Sequence, residues 1–389
     1  MIKKIISILT FSLYSIFVYA QHDSLKQAAP YAFILDYFEK ENFSGLHFQE
    51  IDSVNFDTLA KTRDFHLSIS DHPIELSTKQ KVLSNPFYSD DFGYFKNRDI
   101  NYPISYSTIY ENKLISLFRN GRFLVHSLTN FERDKSFEKQ LNTKKFSYHW
   151  FIDGKLYART KNRFFGRLLV WENNRWTKAK IRIPVKNQPT FYDTKDYIIF
   201  GDCFGEWGGS IYFYERETHD IFFTESTCTT SVFWKENSYF VLSNLGHLFG
   251  RAVYSSINDP SKLSNRKDFD VNKEESHIAI GHKDTTSERQ EVFEFFDLQL
   301  FSTFYLKDRQ LYIAHIKELT FLIEILGSEF QIVHPLFNSD LYTHDPITRK
   351  YGENILINLT HYGTAYDRET SVIIINENGI TKLDWNEAH

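Results

Sequence analysis

Residues 153–160 read "DGKLYART": two turn formers, then a short strand-like run. The same arrangement returns as "ENKLISLF" from Glu111, "TKDYIIFG" from Thr194, "KENSYFVL" from Lys235, "DRQLYIAH" from Asp308 and "GENILINL" from Gly352. Between the first apolar positions, Leu114, Leu156, Tyr197, Tyr239, Leu311 and Ile355, the steps are 42, 41, 42, 72 and 44 residues. One period therefore governs the chain, and one step carries about thirty extra residues.

A second marker keeps the same period. A glycine and a polar residue precede the next strand in Gly121-Arg122-Phe123, Gly166-Arg167-Leu168, Gly209-Ser210-Ile211 and Gly250-Arg251-Ala252. Turn signals close the third strand at Asn173-Asn174, Gly327-Ser328 and Asn378-Gly379, the last of which reads as a two-residue hairpin turn. Each unit is thus four short antiparallel strands, and a unit of that kind at this length is the blade of a β-propeller. The expected fold is all-β, a propeller of about seven blades within a range of six to eight. Six units start at the marked strands, and "DFHLSISDHPIELS" from Asp64 reads as part of an earlier one. A large β-sandwich or an open β-solenoid is the competing architecture.

The blade stretch "YIIFGD" followed by "SIYFYERETHDIFF" resembles the Kelch-type propeller pattern, in which a glycine-ended strand leads to a tyrosine-bearing strand and a turn. The Gly208-Gly209 pair departs from that pattern by opening the third strand rather than closing the second. The resemblance implies a fold and no particular activity, because propellers host many unrelated functions.

Composition agrees with an all-β chain: 37 Phe, 23 Tyr and 6 Trp stand beside one Met. The first twenty residues, "MIKKIISILTFSLYSIFVYA", combine a basic start, an apolar stretch and a small residue at the expected cleavage position, and so read as a secretory signal. Its removal leaves 369 of 389 residues and shifts the net charge from −5 to −7 by loss of Lys3 and Lys4. A mildly acidic chain without a basic run argues against nucleic acid, and no later segment is long and apolar enough to hold a membrane. The expected compartment is secreted or periplasmic. Residues 21–63 read as an N-terminal extension, with a short helix from Pro30, and residues 64–389 as the propeller, with a polar insertion near 260–290.

In a blade of four meandering strands, the second-to-third loops and the blade connections share one face of the ring. Here those loops are long and rich in glycine, aromatics and charge: "TKNRFFGR", "GDCFGEWGG", "SNLGHLFGR" and "THYGTAYDRET". That face is the expected ligand-binding surface. Its candidate residues are Arg163, Arg167, Glu206, Trp207, His247, Arg251, His361, Tyr362 and Arg368. The arginines, with Arg122, suit bidentate grip of an oxyanion, or else pair with nearby acids; the aromatics suit sugar stacking, or else core packing. Cys203 and Cys228 fall on the same face near one blade and are expected to form a disulfide, the alternative being two small buried thiols.

The glycine-rich "GDCFGEWGG" is no phosphate loop, since it lacks the Gly-Lys-Ser/Thr ending and leads strand into strand. No Gly-x-Ser-x-Gly occurs, and "HIAIGH" sets His277 and His282 on opposite faces of a strand, so neither a serine nucleophile nor a metal is indicated. No cofactor is expected. The leading reading is an exported binding module for a protein or an extracellular glycan. The alternatives are a lyase or hydrolase acting on anionic glycans, with Asp202, Glu206 and Asp367 as the loop acids and His247, His361 or Tyr362 for proton transfer, and a structural surface protein without a small ligand.

Overall fold

The computed structural model describes residues 46–50, 61–87 and 103–385, apart from 163–165, 182, 184, 186, 247–249, 266–285, 297, 317–318, 328, 338–342, 344, 360, 363–367 and 370–371. The expected signal sequence and the helix from Pro30 lie outside the described residues.

The chain forms a β-propeller of six blades, the lower end of the expected range. From the innermost strand outward, blade 1 holds Thr108–Tyr110, Lys113–Leu117 and Phe123–Ser127. Blade 2 holds Phe146–Ile152, Lys155–Thr160, Leu168–Glu172 and Arg175–Lys178; blade 3 holds Thr190–Asp193, Tyr197–Gly201, Ser210–Glu215 and Ile221–Glu225. Blade 4 holds Thr229–Lys235, Ser238–Leu245, Arg251–Ile257 and Arg289–Phe296; blade 5 holds Gln299–Leu306, Arg309–Ile316, Leu319–Leu326 and Glu329–Phe337; blade 6 holds Ile347–Tyr351, Asn354–Asn358, Val372–Asn376 and Gly379–Trp385. Each glycine marker of the repeat stands before a third strand, and every first apolar position falls in the second strand of a blade. The turns before those strands explain the regularity: Glu111-Asn112, Asp153-Gly154, Glu236-Asn237 and Lys307-Asp308 all have positive φ at both residues, the twist that suits a two-residue hairpin.

Facing blades bury aromatic and β-branched side chains. Between blades 2 and 3, Trp150, Tyr157, Phe200, Tyr212 and Phe223 pack with Val185, and Phe200 stacks on Tyr212 at 5.0 Å. Each such ring contributes about 1.5–3 kcal/mol by burial. The ring axis is also closed. The inner strand of blade 6 packs across it against the inner strands of blades 3 and 4, and buried Arg349 reaches from blade 6 to Thr190 Oγ1 (2.6 Å) and to Asp193 of blade 3.

Blade 1 replaces its fourth strand with α1, Lys135–Leu141, and the residues flanking it. Asn142 Oδ1 accepts from the Phe123 amide (2.7 Å) while its Nδ2 donates to the Phe123 carbonyl (2.9 Å). Glu138 Oε1 accepts from the Val125 amide (3.1 Å), and the Asp134 amide donates to the Val125 carbonyl (2.8 Å). Arg133 holds buried Glu138 through Nε and Nη2 at 3.0 and 2.6 Å. The edge of the third strand is thus satisfied without a partner strand, which removes a site for unwanted pairing.

The stretch from Asp64 begins no extra blade. Lys61–Ile69 lies parallel to the outer strand of blade 5, and Ser77–Leu83 lies parallel to the outer strand of blade 6. These two segments strap the last blades before the chain enters the first. The turn reading at Asn378-Gly379 also needs correction: the turn is Glu377-Asn378, and Gly379 opens the last strand opposite Asn376. Gly379 has φ +148°, and a Cβ there would overlap the Ser77 carbonyl, so this glycine admits the strap. The polar insertion leaves blade 4 between its third and fourth strands, on the face of the tight turns. Its first residues cross to blade 3, where Ser264–Asn265 pairs with Phe222 and Phe223.

Candidate ligand-binding face

The loop between the second and third strands of blade 3 is held from both ends. Asp202 accepts from the Ser210 amide through Oδ1 (2.8 Å) and from the Tyr212 hydroxyl through Oδ2 (2.9 Å). The Phe204 amide donates to the Gly208 carbonyl (2.9 Å), around a single 3-10 turn at Gly205–Trp207. Gly205 and Gly208 supply the positive φ values that this tight reversal requires. Cys203 is disulfide-bonded to Cys228, which is fully buried in the connection to blade 4. Gly209 passes so close to the Asp202 and Ser226 carbonyls that a Cβ would collide, and the Ser226 amide donates to its carbonyl (3.0 Å).

This bracing turns two aromatic side chains outward. Trp207 is 69 % exposed and Phe204 is 37 % exposed, with exposed Glu206 between them. A large apolar side chain in solvent on a braced loop is a ready contact for a ligand face, because little ordering remains to be done on binding.

The other sequence candidates are distributed as follows. Arg167 is exposed, and its amide donates to Thr160 Oγ1 (2.8 Å). The Arg251 guanidinium donates from Nε to Glu294 Oε1 at 2.5 Å on the adjacent strand. Burial raises the Glu294 pKa and Arg251 opposes it, so this arginine serves a buried acid of its own blade. In blade 6 a small hairpin, His361–Tyr362 with Arg368–Glu369, sets Tyr362 opposite Arg368 and His361 opposite Glu369. Arg163 and His247 lie outside the described residues, as does Asp367.

Polar groups also gather on the ring axis, where sequence reading placed nothing. A cavity of about 20 Å³, room for one water, is lined by Tyr106, His149, Trp150, Thr190, Arg349 and Asn358. Ser105 Oγ lies 2.7 Å from His149 Nδ1, and Tyr106 donates to Asp345 Oδ2 at 2.5 Å. Burial pushes the His149 pKa down to about 3 against the Ile115 carbonyl, so its ring is neutral at physiological pH. The Ser105–His149 contact has the atoms of a nucleophile and its base, yet both residues are buried at the seam of blades 1 and 2. A cavity of one water gives them no room for a substrate. Among the described residues, no group of three or more metal-ligating side chains occurs. No described helix is long and apolar enough to cross a membrane.

No family model and no curated protein matches the chain. Among solved structures it is similar to a prolyl endopeptidase (TM-score 0.37, 9 % identity, covering 72 % of this chain and 42 % of that one) and to Pseudomonas brassicacearum lignostilbene dioxygenase (TM-score 0.34, 10 % identity, 77 % and 78 %). A third is a Bacteroides ovatus xyloglucan-locus protein named GH43B (TM-score 0.28, 9 % identity, 50 % and 40 %). The chain spans less than half of the endopeptidase, and likenesses at these scores carry no functional argument.

Proposed function

We propose that the protein works outside the cytoplasm as a glycan-binding module, and that the Cys203–Cys228 loop of blade 3 is its recognition element. The observation that carries this reading is Trp207, the most exposed of the large apolar side chains described, presented on a disulfide-braced loop. An exposed indole face stacks on the C–H face of a pyranose ring. A disulfide that braces the loop persists in an oxidising compartment, which agrees with the secretory signal read from residues 1–20. Binding is favoured over hydrolysis because Asp202, one of the loop acids, already accepts two hydrogen bonds that shape the loop.

The test is titration of the full mature chain with a panel of neutral and acidic oligosaccharides, read by intrinsic fluorescence and calorimetry. Trp207→Ala is expected to weaken the bound sugar by about 30-fold, the loss typical of a central aromatic contact, without moving the unfolding temperature. A bound sugar whose affinity is unchanged in Trp207→Ala and in Phe204→Ala would overturn the assignment. Capture of a protein ligand by the same face, sensitive to Trp207→Ala, would replace the glycan with a protein partner.

A further inference from the structure

Among the described residues, seven arginines have side chains wholly or partly withdrawn from solvent. Six of them hold a carboxylate: Arg133 on Glu138, Arg216 on Asp153, Arg251 on Glu294, Arg289 on Glu225, Arg309 on Glu324 and Arg349 on Asp193. Arg159 does not. It stands at the outgoing end of the second strand of blade 2, on the long-loop face and beside blade 3. Its Nη2 donates to the Val185 carbonyl (2.7 Å), and its guanidinium lies 5.7 Å from the centre of the Trp150 ring. Its Nε is sealed from water with no acceptor, and among the described residues the guanidinium's hydrogen bonding runs through Nη2 alone. The stem is fixed as well, since a Cβ on Gly166 would come within 2.8 Å of Arg159 Cγ.

A cation partly stripped of water and supported by one carbonyl and one ring lacks the counter-charge that the six comparable arginines among the described residues have. Burial alone lowers the Arg159 pKa, with no acid opposing it. We propose that Arg159 is a receptor for the carboxylate of an acidic sugar. The guanidinium is planar and rigidly placed, and its open end matches the planar fork of a carboxylate. The neighbouring blade carries the Trp207 loop on the same face, so one sugar chain can meet an aromatic platform and this cation. The proposal rests on the glycan-binding reading for its sugar, and on Arg159 alone for its charge.

The experiment separates the two. The arginine Nε–Hε signals of the full ¹⁵N-labelled chain are recorded, with Arg159 assigned by its absence in Arg159→Gln. Sodium acetate, sodium glucuronate, glucose, sodium sulfate and sodium chloride are then titrated at matched ionic strength. The Arg159 signal is expected to move saturably with acetate and glucuronate, and to stay still with glucose and chloride. Arg159→Gln is expected to reduce the preference for glucuronate over glucose by about 10- to 100-fold, the loss of one charge-assisted contact. A signal unmoved by both carboxylates, moved as much by chloride, or moved by sulfate alone overturns the proposal. Trp207→Ala tells the readings apart: if the Arg159 response survives while sugar affinity is unchanged, the platform fails and the carboxylate site stands. If Arg159 is silent while Trp207→Ala abolishes sugar binding, the reverse holds.

Discussion

One buried side chain pins the last blade to the first beside the apolar cluster the two share. Asn358, at the end of the second strand of blade 6, accepts from the Ser107 amide through Oδ1 (2.8 Å) and donates through Nδ2 to the Ser107 carbonyl (3.2 Å). Both residues are buried. Asn244 occupies the equivalent place in blade 4, where its Oδ1 accepts from the Leu300 amide of blade 5 (3.0 Å), but its Nδ2 has no partner. Asn358→Ala strands two buried backbone groups at about 1–3 kcal/mol each, so a loss of about 3–4 kcal/mol is expected. Asn244→Ala strands one group and removes another that is already unsatisfied, so about 1 kcal/mol is expected. Urea unfolding of both variants, with midpoints compared at constant m, measures the difference, and hydrogen exchange at the Ser107 amide should rise in the first variant alone. The reasoning fails if Asn244→Ala costs as much as Asn358→Ala, or if Asn358→Ala costs less than about 1 kcal/mol.

Two further outcomes follow from the same structure. The disulfide closes 25 residues of chain, and on chain entropy its loss in Cys203→Ala/Cys228→Ala should cost about 3.5 kcal/mol in urea unfolding; a loss below about 1 kcal/mol would show that the strand hairpin within the loop already confines the ends. Burial depresses His126 to about 4 and His149 to about 3, so both stay neutral in the fold while the unfolded chain binds their protons near pH 6.5. Stability is therefore full above about pH 6.5 and falls as pH drops toward 4, by about 1.4 kcal/mol per pH unit for each histidine. A His126→Gln/His149→Gln variant should lose most of that slope between pH 6 and 4, and an unchanged slope would refute the assignment.

The blades were legible in the sequence because the same turn chemistry recurs before four of the six second strands, as in Asp153-Gly154 and Glu236-Asn237, and turn formers precede the other two. The straps were not. Six of the seven residues of Ser77–Leu83 are exposed, so the strand has no apolar alternation to announce it, and its partner is some 300 residues away. The asparagine pins had a readable signal: Asn244 and Asn358, two blades apart, each stand before a leucine at the end of a second strand. Arg251 drew notice because "FFGR" and "LFGR" repeat, yet its charge goes to Glu294. What distinguishes Arg159 is a relation, the lack of an acid among residues distant in sequence, and no local pattern encodes that.

The ring axis and the loop face differ in what a ligand would have to displace. On the axis, Arg349 is held by Asp193 and Thr190, Tyr106 by Asp345, and His149 by Ser105, around a cavity for one water. A ligand entering there must break buried, charge-assisted contacts and replace each of them, which costs more than a small polar molecule returns. On the loop face the backbone is already satisfied by Asp202 and the disulfide, while the Trp207 ring is in water and Arg159 is without a counter-ion. On the proposed reading, a ligand with one apolar face and one carboxylate would meet both positions without breaking the hydrogen bonds that shape the loop. The proposed site therefore lies on the long-loop face of blades 2 and 3, where an exposed ring and a cation held by no described carboxylate stand on neighbouring blades, and not on the axis.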